Sequence, residues 1–469
     1  MLTKSKRKRV IYMKKRLSGV NGLWGVRIFA FLLTVHYSLS PASAQKQWTL
    51  QDCIDYALAN NITLKKSQLA RQRATEDLKG AQAALLPTLS ASTNQSVGYQ
   101  PWKDSGISTV TNGMVASGVS KTSYNGNYSV NGQWTVWNGG RNTNTVKLDR
   151  IAEQEAELSE QETANTIQER IAQVYTQILY LDESVKVNEQ TLETSRKNEE
   201  RGQEMVNVGK MSKADLAQLT AQRAQDEYNI VEQRSQLLNY KLQLKQLLEI
   251  ADETAFDVAI PEINIEQILS DIPSLQSVYE EALLARPEIE RSRLAVKSSD
   301  VSLSIAKAGW MPSISVSGGV TTSTNSLNTN SWGSQMKTNV NTSLGLGVSV
   351  PIYDGRSTKT AVNKAKIQQL EAQLDLQDLQ KTLYTDIQGY WLNALTNQQK
   401  YKAARSSVES AQQSYDLLSE QFRLGLKNIV ELMTGKDNLL NAQQNLLQSK
   451  YLTIYNKQML SFYQGKAIK

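Results

Sequence analysis

Histidine is nearly absent from this chain of 469 residues: the one that occurs, His36, lies in a basic and apolar leader. There is likewise one cysteine, Cys53, and only eight prolines and five phenylalanines. Past the leader the chain therefore cannot assemble a Ser-His-Asp triad, a His-ligated zinc site, a CxxC redox pair or an intramolecular disulfide. No Gly-rich phosphate cradle appears, and the plentiful carboxylates fall on polar helix faces rather than in pairs, so an enzyme is not expected and no cofactor or metal is implied. Cys53 sits on an apolar helical face in LQDCIDYAL and reads as a small hydrophobe.

Long apolar runs are missing too. The longest, around Ile28–Val35, falls short of the ~20 residues that span a bilayer as a helix. It follows nine basic residues and no acid, and runs into PASAQ, where Ala42-Ser43-Ala44 forms an A-x-A site. Residues 1–44 are expected to be a secretory signal peptide cleaved after Ala44; a basic tail for nucleic acid or an uncleaved anchor is the competing reading. The leader holds nine of the 52 basic residues, so the rest carries 43 against 45 acidic ones and the formal +7 becomes −2. Basicity belongs to targeting, and no nucleic-acid partner is expected.

What is present is repetition. ALLPTLSAS and GWMPSISVSGGV both stop a helical pattern at proline and continue as strand, and Pro87 and Pro312 lie 225 positions apart. At that offset Leu50/Leu275, Ala57/Ala282, Leu69/Leu294, Leu78/Leu303 and Ser92/Ser317 are identical, and Cys53 faces Val278. The chain reads as an internal duplication, 45–268 and 269–469, joined through PEINIEQILSDIP. Each half is expected to run as a helix of roughly 35 residues, a strand, a polar loop, a strand, a long helix, a Gly turn and a helix.

The strands, expected near 87–100, 127–137, 312–322 and 339–352, alternate small polar with apolar residues over about ten positions, the dyad pattern of a strand between lipid and water. A half-buried strand of a soluble sheet alternates in the same way. The flanking Ser/Thr/Asn/Gly-rich loops, 101–127 and 321–339, in an exported chain favour the membrane. Four strands are too few to close a barrel with a lumen, and lipid does not tolerate an open edge, so the chain is expected to pool strands with copies of itself; three copies would give twelve. Beside the strands, 141–206 and 356–424 run without proline, about 100 Å each as helix, and need neighbours in a coiled-coil-like wall. The fold class expected is mainly α with β.

In AALLPTLSAS and AGWMPSISVS, VWNGGR and PIYDGR, and the turns VGKMSKADL and LGLKNIVEL, the chain resembles the TolC family of outer-membrane efflux proteins over nearly its whole length past the leader. The resemblance implies a homotrimer, with a twelve-stranded barrel in outer-membrane lipid above a periplasmic tunnel of helices. It also implies a passive exit duct for efflux or type I secretion, energised by an inner-membrane transporter through a periplasmic adaptor. A periplasmic coiled-coil adaptor or an adhesin is the second class; it explains long helices but not four membrane-type strands.

The family closes its tunnel near the helix turns with acidic rings and polar links. By resemblance Glu431 falls on one ring and Thr434, not an acid, on the second. Lys427 falls where an arginine can link to the acid matched by Asp215, and Phe422 falls on a linking aromatic, without its hydroxyl. Read from the residues alone, Ser212 and Asn428 are helix N-caps followed three positions later by Asp215 and Glu431, and Gly209 and Gly425 stop the preceding helices. Capping and gating remain alternatives for the two acids. As a gate, three Glu431 carboxylates would repel each other and favour bound cations or a raised pKa.

Overall fold

The computed structural model describes residues 47–102, 106–110, 113–117, 120–251, 256–261 and 264–468. The expected leader, 1–44, lies outside the described residues. In chain order, β1 (Gln47–Trp48), α1 (Leu50–Asn60) and α2 (Ile62–Ala83) lead into β2 (Thr88–Tyr99). A short hairpin, β3 (Gly106–Val110) and β4 (Gly113–Ser117), precedes β5 (Thr122–Asn138), α3 (Arg141–Asn207), α4 (Lys213–Leu247) and β6 (Asp257–Val258). Then come α5 (Ile265–Leu269), α6 (Leu275–Ala285), α7 (Pro287–Lys307), β7 (Ser313–Asn325), α8 (Trp332–Thr338), β8 (Asn341–Ser349), α9 (Ser357–Arg423) and α10 (Ile429–Tyr463).

The single opening helix of roughly 35 residues expected in each half is instead two. Asn61 (φ −58°, ψ 128°) divides α1 from α2: its side-chain oxygen accepts from the amides of Thr63 and Leu64, and its amide donates to the Leu247 carbonyl. In the second half Pro287 forces its predecessor out of helical geometry, and Arg286 (φ −85°, ψ 123°) is extended. The Arg286 guanidinium is buried between Glu169 (3.1 Å) and Glu288 (2.7 Å) and stacks 4.4 Å from the Tyr463 ring centroid. The polar loops also carry structure of their own, in β3–β4 and α8, and β5 begins at Thr122, earlier than its alternation suggested.

β2, β5, β7 and β8 form one antiparallel sheet in that order. Its register lines up Leu89, Gly132, Gly318 and Leu344, then Ala91, Val130, Val320 and Thr342. On the opposite face stand Thr88, Gln133, Ser317 and Gly345, then Ser90, Asn131, Gly319 and Ser343. One face is thus mostly apolar and the other hydroxyl, amide or glycine, and the four strands carry no Asp, Glu, Lys or Arg. Pro87 and Pro312 each stand one residue before a strand, β2 and β7. Having no N–H and favouring an extended predecessor, proline suits the joint where helix gives way to strand.

α3 and α9 each run 67 residues, about 100 Å, and α4 and α10 each run 35. The main core lies at the middle of α3, where α4 and α10 end and α1 brings Cys53, Ile54 and Ala57 against Ile171, Tyr175 and Ile178 of α3, Leu244 of α4 and Met459 of α10. A second cluster packs Val278 and Ala282 of α6 and Ile289 of α7 on Ile387 of α9 and Leu460 of α10. Cys53 and Val278, the pair at the 225-residue offset, are both fully buried, one in each cluster. Among the described residues no helix is long and apolar enough to cross a membrane.

The starts of α3 and α9 differ by one glycine. Gly140 precedes α3 at φ 79°, whereas Arg356 holds the same place before α9 at φ 73°. The left-handed region crowds a Cβ at a cost of roughly 1–2 kcal/mol. Asp354 holds the turn regardless, accepting from the Thr358 amide at 2.7 Å, as Asn138 accepts from Asn142 at 3.1 Å. Arg356→Gly is therefore expected to stabilise the chain by about 1 kcal/mol, less the backbone entropy glycine adds to the unfolded state. Thermal melting of the detergent-extracted protein checks this; a melting point equal to or below wild type contradicts it.

Candidate functional site at the helix tips

Both long hairpins turn at glycine. Gly209 (φ 73°) follows α3, with the Lys210 amide donating to Met205 O at 2.8 Å; Gly425 (φ 75°) follows α9, with the Leu426 amide donating to Gln421 O at 2.9 Å. These bonds satisfy carbonyls that a helix end leaves open, and the positive φ is what glycine supplies. The next helices start on polar caps. Ser212 Oγ accepts from the Asp215 amide at 3.0 Å and donates to Asp215 Oδ2 at 2.8 Å. Asn428 Oδ1 accepts from the Glu431 amide at 2.9 Å, while Glu431 Oε2 accepts from the Asn428 amide at 3.2 Å, a reciprocal capping box.

The other oxygen of Glu431 accepts from Lys427 Nζ at 2.6 Å. Lys427, which the resemblance would link to Asp215, here reaches from the turn before the Asn428 cap to the acid four positions along. The Lys427 ammonium, and then the Asn428 amide, hold the Glu431 carboxyl below its usual range. Within the single chain the direction is opposite to the rise expected from converging carboxylates.

Thr434 stands exposed one turn along α10 from Glu431, and both line a shallow groove of about 570 Å³ between α9 and α10 with Ser410, Ser414 and Asn438. Phe422 faces away from that groove, buried with Tyr415, Leu219, Ile429, Leu432 and Leu439 in an apolar cluster that joins α4, α9 and α10. Here it packs rather than links. Glu431, Thr434 and Lys427 are brought together on the second hairpin and Ser212 and Asp215 on the first; Pro87 and Pro312 belong to the sheet joints.

Sequence reading missed the polar cluster just inside the tips. Asp226 of α4 and Lys436 of α10, with side chains 3% and 5% exposed, pair at 2.6 Å. Ser195 of α3 donates to Asp226 Oδ2 at 2.5 Å and accepts from Lys436 at 2.9 Å, while Gln222 donates to Asp226 Oδ1 at 3.1 Å. The available signal was a charge inside an apolar stripe: Asp226 between Leu219 and Ile230, Lys436 between Leu432 and Leu439.

Comparison with known proteins decides the family. The family described as "Outer membrane efflux protein" matches residues 53–249 and 278–466. The chain belongs to the outer membrane efflux protein family. It is similar to the outer membrane efflux protein BepC of Brucella suis biovar 1 (strain 1330), 21% identical over 417 residues that cover 86% of this chain and 82% of BepC. It is also 21% identical to the outer membrane protein TolC of Salmonella enteritidis, over 92% of this chain and 85% of TolC. Among solved structures, the outer membrane channel CmeC of Campylobacter jejuni superposes with a TM-score of 0.76 at 19% identity, over 89% of this chain and 86% of CmeC. This efflux protein is an outer-membrane exit duct, not an enzyme, and its long helices reach into the periplasm.

The tip contacts fix a direction with pH. Because the folded Glu431 carboxyl is held below its ordinary 4.5, its contribution is complete above that pH and is lost as pH falls through the folded value. A carbon-13 titration of Glu431 in detergent should place its midpoint below 4.5, and Lys427→Met should move it upward. No movement in the Lys427 variant would remove the pairing as the cause.

Proposed function

We propose that this efflux protein works as a homotrimer in which three four-stranded sheets close one twelve-stranded barrel in outer-membrane lipid, above a tunnel of pooled helices. The observation that carries this reading is the sheet: no charge in its strands, apolar residues on one face, and two free edges, β2 and β8. Unpaired edge N–H and C=O groups each cost several kcal/mol in hydrocarbon, and pairing β8 of one copy with β2 of the next satisfies them. Ile314, Val316 and Val320 then face lipid, and Ser313, Ser315 and Ser317 the water-filled lumen.

The helices support the same assembly. Ile367, Leu370 and Leu374 of α9 and Tyr228, Val231 and Leu238 of α4 are exposed in the single chain, a surface that neighbouring copies would cover. The matched lengths of α3 and α9, and of α4 and α10, support a chain built of two repeats, 45–268 and 269–469. The duct is passive: a periplasmic adaptor meets its hairpin tips and an inner-membrane transporter supplies energy. Around the axis three Glu431 side chains form the one acidic ring, with Thr434 at the level where a second would stand.

Two measurements test the assembly and the gate. Mass measurement of the detergent-extracted outer-membrane fraction should return three copies; a soluble periplasmic monomer overturns the duct reading. In planar bilayers, Glu431→Ala should relieve block by divalent cations while open conductance stays within about twofold, since one carboxylate per copy carries the ring. Unchanged block would remove Glu431 from the gate.

A further inference from the structure

Within each hairpin a short turn sets the register of two helices: residues 208–212 hold α4 to α3, and 424–428 hold α10 to α9. No turn near the tips sets one hairpin against the other. The seam between them also changes character along α3. Toward the middle α3 buries Ile167, Ile171, Val174, Tyr175 and Ile178; toward the tip its buried positions become mixed, with Ser184, Asn188, Thr191, Ser195 and Asn198 beside Val185 and Leu192. Small and polar residues at the buried positions make poor markers of register, because a shift of seven residues sets like against like.

We propose that Ser195, Asp226 and Lys436 are positioning residues, a pin that fixes the height of α10 on the α3–α4 hairpin and so sets the two tips level. Each charge is matched: Asp226 accepts from Lys436, Ser195 and Gln222, and Lys436 donates to both Asp226 and Ser195. A slip of one heptad would set Ile429 or Gln443 where Lys436 stands, leaving Asp226 buried without a cation. An unpaired interior charge is the arrangement a core tolerates least, whereas well-packed apolar residues hold helices together at least as firmly as an ion pair. The gain from charge here is uniqueness of register. Two further polar contacts cross from α3 to α10 nearer the middle: Ser184 to Gln444 at 2.9 Å is neutral, and Glu183 with Lys450 at 2.8 Å is an ion pair still open to water, so both discriminate less than a fully buried pair.

That level tips matter for docking rests on the proposed adaptor contact; the register itself does not. Spin labels on the exposed tip residues Lys210 and Leu426, in a Cys53→Ala background and diluted among unlabelled copies, report tip-to-tip distance in the full-length assembled protein. Wild type should give one narrow distance. The D226L/K436L pair, with helix content and assembly unchanged, should broaden it or add a population displaced by about 10 Å, seven residues of helix. The swapped D226K/K436D pair should narrow it again. A narrow, unshifted distance in the leucine pair overturns the pin, as does a swap that stays equally broad. Should the leucine pair not assemble, Asp226→Asn removes the charge at constant size, with the same broadening expected and an unchanged distance overturning the proposal. Broadening with export intact would keep the pin and sink the docking reading.

Discussion

A helix 67 residues long with apolar positions recurring along it draws most of its stability from packing that face, so it must be covered along its length, and this requirement organises the molecule. α4 and α10 cover about half of each long helix, from the tip to the middle. α1, α2, α6 and α7 supply the rest: the buried clusters around Ile171 and Ile387 lie where the two sets meet, so the most apolar part of the structure is the middle rather than either end. The breaks at Asn61 and Arg286 belong to the same economy. A straight helix there would run past the wall; a bend lets α1 and α6 press Cys53 and Val278 into it while α2 and α7 continue toward the sheet.

Sheet and wall obey opposite rules about charge. The strands carry none, which suits a surface meeting lipid on one side and a neutral hydroxyl- and amide-lined space on the other. The helices carry abundant charge, and most ion pairs there are exposed, such as Lys79 with Glu76 and Arg234 with Glu189, worth little individually. The pairs that matter are those out of water. Arg286 is held by two carboxylates and an aromatic face at a bend, and Lys436 by Asp226 and Ser195 at a seam.

At the tips, capping and gating draw on the same side chains. Glu431 places one oxygen on the Asn428 amide and the other on Lys427, so its charge is largely answered within the same chain. Any role on the axis of an assembly begins from that neutralised state.

Much of this was legible in the sequence because it rests on local rules. Dyad alternation, proline at the helix-to-strand joints, glycine in the turns and polar caps after them are written within a few residues, and Ser212, Asn428, Gly209 and Gly425 act as those rules require. The lack of histidine past His36 spoke in the same way against a Ser-His-Asp triad or a His-ligated zinc site. Local rules failed where a distant partner decides. Asn61, which divides α1 from α2, is held by the Leu247 carbonyl 186 positions away, and Phe422 is sealed in an apolar cluster with Leu219 of α4. Asp226 and Lys436, 210 positions apart, show nothing in one dimension beyond a charge out of place in an apolar stripe. By itself the sequence determined the kinds of element, their order and the sorting of charge, since these follow from neighbouring residues. Only tertiary packing decided which buried charges meet, because burial and pairing depend on what other parts of the chain bring to the same place.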